Sequence, residues 1–150
     1  MTSGTQKPVE LSILSSPANL PAVRAAVEKV CRNVGFDSDA VGDIVLSVDE
    51  ALTNIIRHAY KGAEGQPIDV KLTPIGGRQP KAIKICLADR GRYMDPSRFK
   101  PRDLEQVQPG GLGVHIITKC MDQVRYEARE GGGTLLSMVK DINSQRLAEE

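Results

Sequence analysis

Two hydrophobic periods alternate along this chain, the two-residue period of strands and the 3.6-residue period of helices. Val9, Leu11 and Ile13 alternate with polar residues and predict a first strand. Ser15-Ser16-Pro17-Ala18-Asn19 breaks that pattern, and Asn19 suits the N-cap of a helix with Pro21 in its first turn. Leu20, Val23, Val27, Val30 and Val34 then recur at helical spacing, and Gly35 can end that helix. Asp37 or Ser38 caps a second, longer helix with apolar positions at Val41, Ile44, Val45, Val48, Leu52, Ile55, Ile56 and Ala59, closed by Gly62 and Gly65. Ile68, Val70 and Leu72 alternate as a strand, and a turn follows at Pro74, Gly76 and Gly77. Ile83, Ile85 and Leu87 make another strand that runs into Asp89-Arg90-Gly91.

From about Tyr93 to Gly111 the periodicity fades into a proline-bearing, charged stretch that predicts a long functional or mobile loop. Leu112 to Met121 predicts a short helix, and Val124, Tyr126 and Ala128 a strand. Gly131-Gly132-Gly133 is a hairpin turn leading into a last strand from Thr134 to Val139, with a polar tail from about Asn143. The order β-α-α-β-β-loop-α-β-β, with short turns between strands, predicts an α+β fold: a two-layer sandwich whose mostly antiparallel sheet is covered by helices on one face. No repeat or linker divides it, so one domain over residues 1–150 is expected, with its core at about 8–142.

Composition narrows this picture only slightly. The 150 residues are 40% hydrophobic and 26% charged, ordinary values for a soluble globular domain. Two Phe, three Tyr and no Trp leave the core to Val, Ile, Leu and Ala. A formal net charge of +1 gives no electrostatic reason to expect nucleic acid or an anionic membrane as a partner. No apolar run approaches the roughly 20 residues of a membrane span, and Met1 to Lys7 lack the apolar segment of a secretory signal. Cys31, Cys86 and Cys120 lie in apolar stretches without metal-ligand spacing and are expected to be buried, reduced thiols of a cytoplasmic protein.

Four places hold residues able to do chemistry. Glu50, Asn54 and His58, spaced i, i+4, i+8, fall on one strip of the second helix. Spacing alone makes that strip an ordinary solvated face. Chemically, it offers a carboxylate that can accept a proton and an amide oxygen suited to Mg²⁺, which takes oxygen ligands and keeps several waters. Asp89-Arg90-Gly91 sits at a strand end, where a carboxylate can accept from an exocyclic amine and Gly91 lets a ring approach the backbone. The same three residues also make a common turn. Gly110-Gly111-Leu112-Gly113 precedes a helix and can present backbone N–H groups to phosphate, or simply end a flexible loop. His115 and His58 have structural roles by default.

In combination these segments resemble a known superfamily. Glu50-Ala51-Leu52-Thr53-Asn54-Ile55-Ile56-Arg57-His58-Ala59-Tyr60 resembles the N-box of the GHKL ATPases, Asp89-Arg90-Gly91 the G1 box, and Gly110-Gly111-Leu112-Gly113 the G2 box. The segment between the last two resembles the ATP lid, and Thr134 the late threonine that supports the adenine site. The set is most similar to the bacterial anti-sigma factor serine/threonine kinases, over roughly residues 8–142.

That resemblance implies a Bergerat-type sandwich with ATP and Mg²⁺ as cofactors. It makes Glu50 the general base, Asn54 the Mg²⁺ ligand, Asp89 the adenine ligand, and Gly110, Gly111 and Gly113 the phosphate-binding turn. It further implies phosphorylation of a serine on a small anti-sigma-factor antagonist, sequestration of a sigma factor, and a homodimer. Lid residues Arg98, Lys100 and Arg102 can help neutralise phosphate by their charge alone. One departure stands out: Tyr93 occupies the second glycine position of the superfamily's G1 pattern, and Arg90 and Arg92 make this loop basic. Two other classes stay open, a non-catalytic nucleotide- or partner-binding module and the ATPase portion of a sensor histidine kinase. Against the latter, the chain shows no helical dimerisation segment with a phosphoacceptor His, and Glu50 stands where such kinases more often carry Asn.

Overall fold

Alternation in five segments becomes five paired strands. The computed structural model describes residues 7–95 and 116–143. Its strands are β1 (Val9–Leu14), β2 (Pro67–Ile75), β3 (Ala82–Asp89), β4 (Gln123–Ala128) and β5 (Thr134–Asp141). They form one sheet in the order β1-β2-β3-β5-β4, with every neighbouring pair antiparallel. Leu11↔Val70, Ile13↔Ile68, Val70↔Leu87, Leu72↔Ile85 and Ile85↔Met138 lie opposite one another, so their apolar side chains share a face. Ser12, Asp69, Lys71 and Lys84 occupy the other face and are exposed. The strand that follows the β4 hairpin enters between β3 and β4, which sets Thr134 beside the end of β3.

The two long helices, α1 (Leu20–Val34) and α2 (Ser38–Asn54), lay their apolar stripes on that face. Val23, Val27, Ile44, Val48 and Leu52 join Ile68, Leu72, Ile85, Leu87 and Met138 in one fully buried cluster. Arg24 and Asp49 tie the helices together through a two-pronged contact at 2.9 and 3.0 Å, half exposed and therefore worth at most about 1 kcal/mol.

The ends of the helices partly follow expectation. Gly35 closes α1 in the left-handed conformation (φ 109°), and the Asp37 side chain caps α2 by accepting from the amide of Ala40. Asn19 does stand at the start of α1, but its side chain does not cap it. A 3₁₀ turn (Pro17–Asn19) already holds Asn19 in helical conformation, and its amide group donates instead to the carbonyl of Leu14. The helical stripe predicted through Ala59 changes character after Asn54: Ile55–Ala59 forms a π turn. Of the short helix expected over 112–121, residues 116–120 are helical and the start lies outside the described residues. Cys31 is buried as expected, whereas Cys86 and Cys120 are only half buried, because Cys86 points to the sheet's uncovered face, beside Ser137.

Candidate functional site

The strip Glu50, Asn54, His58 is not the solvated face that its spacing alone suggests. Asn54 is 3% exposed, and both Glu50 and His58 are half buried. Neither the amide oxygen nor the amide nitrogen of Asn54 has a hydrogen-bond partner among the described residues. An orphaned buried amide costs on the order of 1–3 kcal/mol, so its retention points to something that binds there. Burial, together with the guanidinium groups of Arg57 and Arg92, lowers the His58 pKa and favours the neutral ring. The π turn that begins just after Asn54 is a form found often at functional sites.

That turn meets the exit of β3. The amide of Arg92 donates to the carbonyl of Ala59 at 2.8 Å. A Cβ on Gly91 would lie 2.3 Å from that same carbonyl oxygen. The close approach that Gly91 permits is therefore filled by the protein's own backbone. Tyr60, the residue after the π turn, places its hydroxyl between two strands: it accepts from the Arg90 amide at 2.7 Å and donates to the Pro67 carbonyl at 2.6 Å.

Asp89 is the last residue of β3 and is fully buried. One carboxyl oxygen accepts from the amides of Gly91 at 2.9 Å and Thr134 at 3.3 Å, whereas Oδ2 has no partner among the described residues. Burial raises the Asp89 pKa, partly offset by those two amides and the Arg129 guanidinium. Thr134 is fully buried as well, and its hydroxyl accepts from the amide of Met94 at 2.9 Å. The two residues singled out far apart in sequence, Asp89 and Thr134, are thus neighbours. Tyr93 is exposed, and the chain turns inward right after it with Met94 buried.

Four residues that sequence reasoning did not single out for the site contribute to it. Arg129 donates to the carbonyl of Asp89 at 2.8 Å, and Arg90 donates to the carbonyls of Glu130 and Gly132, so two guanidiniums bind the β4–β5 hairpin to the end of β3. Gly133 has φ 108°, and a Cβ there would sit 2.1 Å from the Asp89 carbonyl oxygen. The glycine triplet is thus the expected hairpin turn, and its last member is also a packing requirement of the site. Tyr60 is the fourth, and only the closing His-Ala-Tyr of the N-box resemblance touched on it. Gly110, Gly111, Gly113, His115 and the basic residues Arg98, Lys100 and Arg102 lie outside the described residues.

The described residues therefore hold a buried amide, on α2, and a buried carboxylate oxygen, at the end of β3, both without a hydrogen-bond partner among the described residues. The amide oxygen is a donor atom suited to a hard cation, and the carboxylate oxygen to an amine.

Comparison with known proteins agrees with this fold. Residues 13–140 match the family described as histidine kinase-like ATPase domain. The chain is 28% identical to the serine-protein kinase RsbW of Bacillus pumilus over 148 residues, 93% of this chain and 88% of that protein. It is 27% identical to the RsbW of Listeria monocytogenes over 149 residues, 94% and 91% of the two chains. Among solved structures, the RsbU and RsbW domains of a Mycobacterium tuberculosis protein superpose with a TM-score of 0.65 at 17% identity, covering 94% of this chain and 34% of that one. SiaB in its complex with SiaC from Pseudomonas aeruginosa is alike in fold at the same TM-score, 0.65, with 15% identity and coverage of 91% and 90%.

Proposed function

The chain belongs to the histidine kinase-like ATPase domain family, and from that premise we propose that it is an ATP-dependent protein serine kinase of the anti-sigma factor class. It transfers the γ-phosphoryl group of ATP to a serine of a small antagonist protein and sequesters a sigma factor, as a cytoplasmic homodimer in a partner switch. The observation that carries this function is that two buried polar side chains, Asn54 and Asp89, keep atoms without a hydrogen-bond partner among the described residues. The curated relatives named as serine-protein kinases support the choice of reaction.

In this mechanism Oδ2 of Asp89 accepts from the exocyclic amine of adenine, and Thr134 and Gly91 hold the other oxygen in place. Asn54 would supply an oxygen to Mg²⁺, which would neutralise phosphate charge when bound. Phosphate binding is assigned to Gly110, Gly111 and Gly113 from their sequence alone, since they lie outside the described residues. Glu50, one helical turn before Asn54, takes the proton of the attacking serine hydroxyl; the new Oγ–P bond forms as the bond to ADP breaks. Phosphoryl transfer depends mostly on such positioning and charge neutralisation.

The test is incubation of the protein with γ-labelled ATP, Mg²⁺ and its antagonist. Acid-stable phosphoserine on the antagonist is expected. Tight ATP binding without transfer would leave a binding module, and acid-labile label on a histidine would indicate a histidine kinase. Glu50→Ala is expected to cut transfer by about 10²-fold or more, with ATP still bound. Transfer at the wild-type rate would remove Glu50 as the base.

A further inference from the structure

The end of β3 is set by a side chain from elsewhere. Ile68 lies opposite Asp89 in the β2–β3 ladder, so Pro67 and Arg90 would form the next step. The hydroxyl of Tyr60 stands between them, accepting from the Arg90 amide and donating to the Pro67 carbonyl. One oxygen thus satisfies both backbone groups while keeping the strands apart, and β3 stops at Asp89. Tyr60 is itself fixed at the end of the π turn that begins after Asn54, and Ala59 beside it receives the Arg92 amide.

We propose that Tyr60 is a positioning residue for base recognition: its hydroxyl fixes the exit of β3 so that the open oxygen of Asp89 is held where it distinguishes adenine from a base lacking the exocyclic amine. The proposal rests on the assignment of Asp89 to adenine. Without the phenolic oxygen, the Arg90 amide and Pro67 carbonyl either close on one another, lengthening the ladder, or stay unpaired. Both outcomes move the peptide after Asp89, and with it Gly91, which is already packed tightly against Ala59. The same turn follows Asn54, so the helix bearing the proposed cation ligand also carries the residue that sets the base site.

The experiment is calorimetric titration of ATP and inosine triphosphate into the full chain with Mg²⁺, for wild type and Tyr60→Phe, beside a melting curve. Wild type is expected to prefer ATP by on the order of 100-fold, since a site built for a hydrogen-bonding group discriminates strongly against an analogue without it. In folded Tyr60→Phe that preference should fall roughly tenfold, the value of one well-placed hydrogen bond. An equal loss of affinity for both nucleotides, with the preference intact, means that Tyr60 serves stability alone and overturns the proposal. Equal binding of both by wild type overturns the assignment of Asp89 instead. Should the variant not fold, amide exchange on wild type decides: ATP is expected to protect the Arg90 amide at least about tenfold more than inosine triphosphate does, and equal protection overturns the role.

Discussion

At Asp89, burial and hydrogen bonding pull the carboxyl in opposite directions. Desolvation favours the protonated acid, whereas the amides of Gly91 and Thr134 and the Arg129 guanidinium favour the anion, and burial wins. A carboxyl whose folded pKa is raised contributes stability that is complete below its unfolded value, ordinarily 3.8, and is lost as pH rises through the folded value. Above the folded value the protein therefore bears the full cost of the buried charge. Asp89→Asn keeps an oxygen for the two amides and removes that charge. Without nucleotide it is expected to melt a few degrees higher than wild type at pH 7, with the gap closing as pH falls toward 4. It should also weaken ATP about 10- to 100-fold, the value of a charge-assisted hydrogen bond. Melting curves across that range and an ATP titration check both. Lower stability at pH 7 would mean that the anion's hydrogen bonds outweigh burial.

Among the elements, the β4–β5 hairpin is as much a part of the site as the helix. Its turn carries three glycines with positive φ, yet their surroundings differ. Gly132, at φ 108°, has nothing within 4 Å of an added Cβ, whereas a Cβ added to Gly133, also at 108°, would collide with the Asp89 carbonyl oxygen. Gly132→Ala should cost only the left-handed conformation, about 1–2 kcal/mol. Gly133→Ala adds a clash with backbone that cannot rotate away, for a total of about 3 kcal/mol or more, and should weaken ATP because the displaced atom belongs to Asp89. Denaturant unfolding of the two variants separates the cases, and equal losses would show that the hairpin can move off β3. The π turn of α2 has the opposite origin. The sequence there continues a plain helical stripe at Ile55, Ile56 and Ala59, and the widening becomes visible only once Tyr60 and Ala59 meet the exit of β3.

For the molecule as a whole, Cys31 is a reporter of global opening. It is fully buried in the α1 stripe, and burial beside Glu28 pushes its thiol up to about 12. A thiol both inaccessible and protonated is alkylated only when the fold opens. Timed alkylation with mass mapping is expected to label the half-buried Cys86 and Cys120 first, and Cys31 at a rate that follows denaturant as global unfolding does. Early labelling of Cys31 would show that α1 detaches on its own. The sequence by itself determined the α+β class, the order of the elements and the faces they bury, because those depend on local periods and on residues such as Gly35 and Asp37 that act within one turn. It also marked Glu50, Asn54, Asp89 and Thr134 as candidates. Tertiary structure alone decided that β5 enters between β3 and β4, that Asn54 is buried rather than solvated, and that Gly91 and Gly133 are held against backbone. It alone brought Tyr60 and Arg129 to Asp89. The helix carrying Glu50 and Asn54 had a legible pattern, but the burial of Asn54 is a tertiary property, and no local period records it.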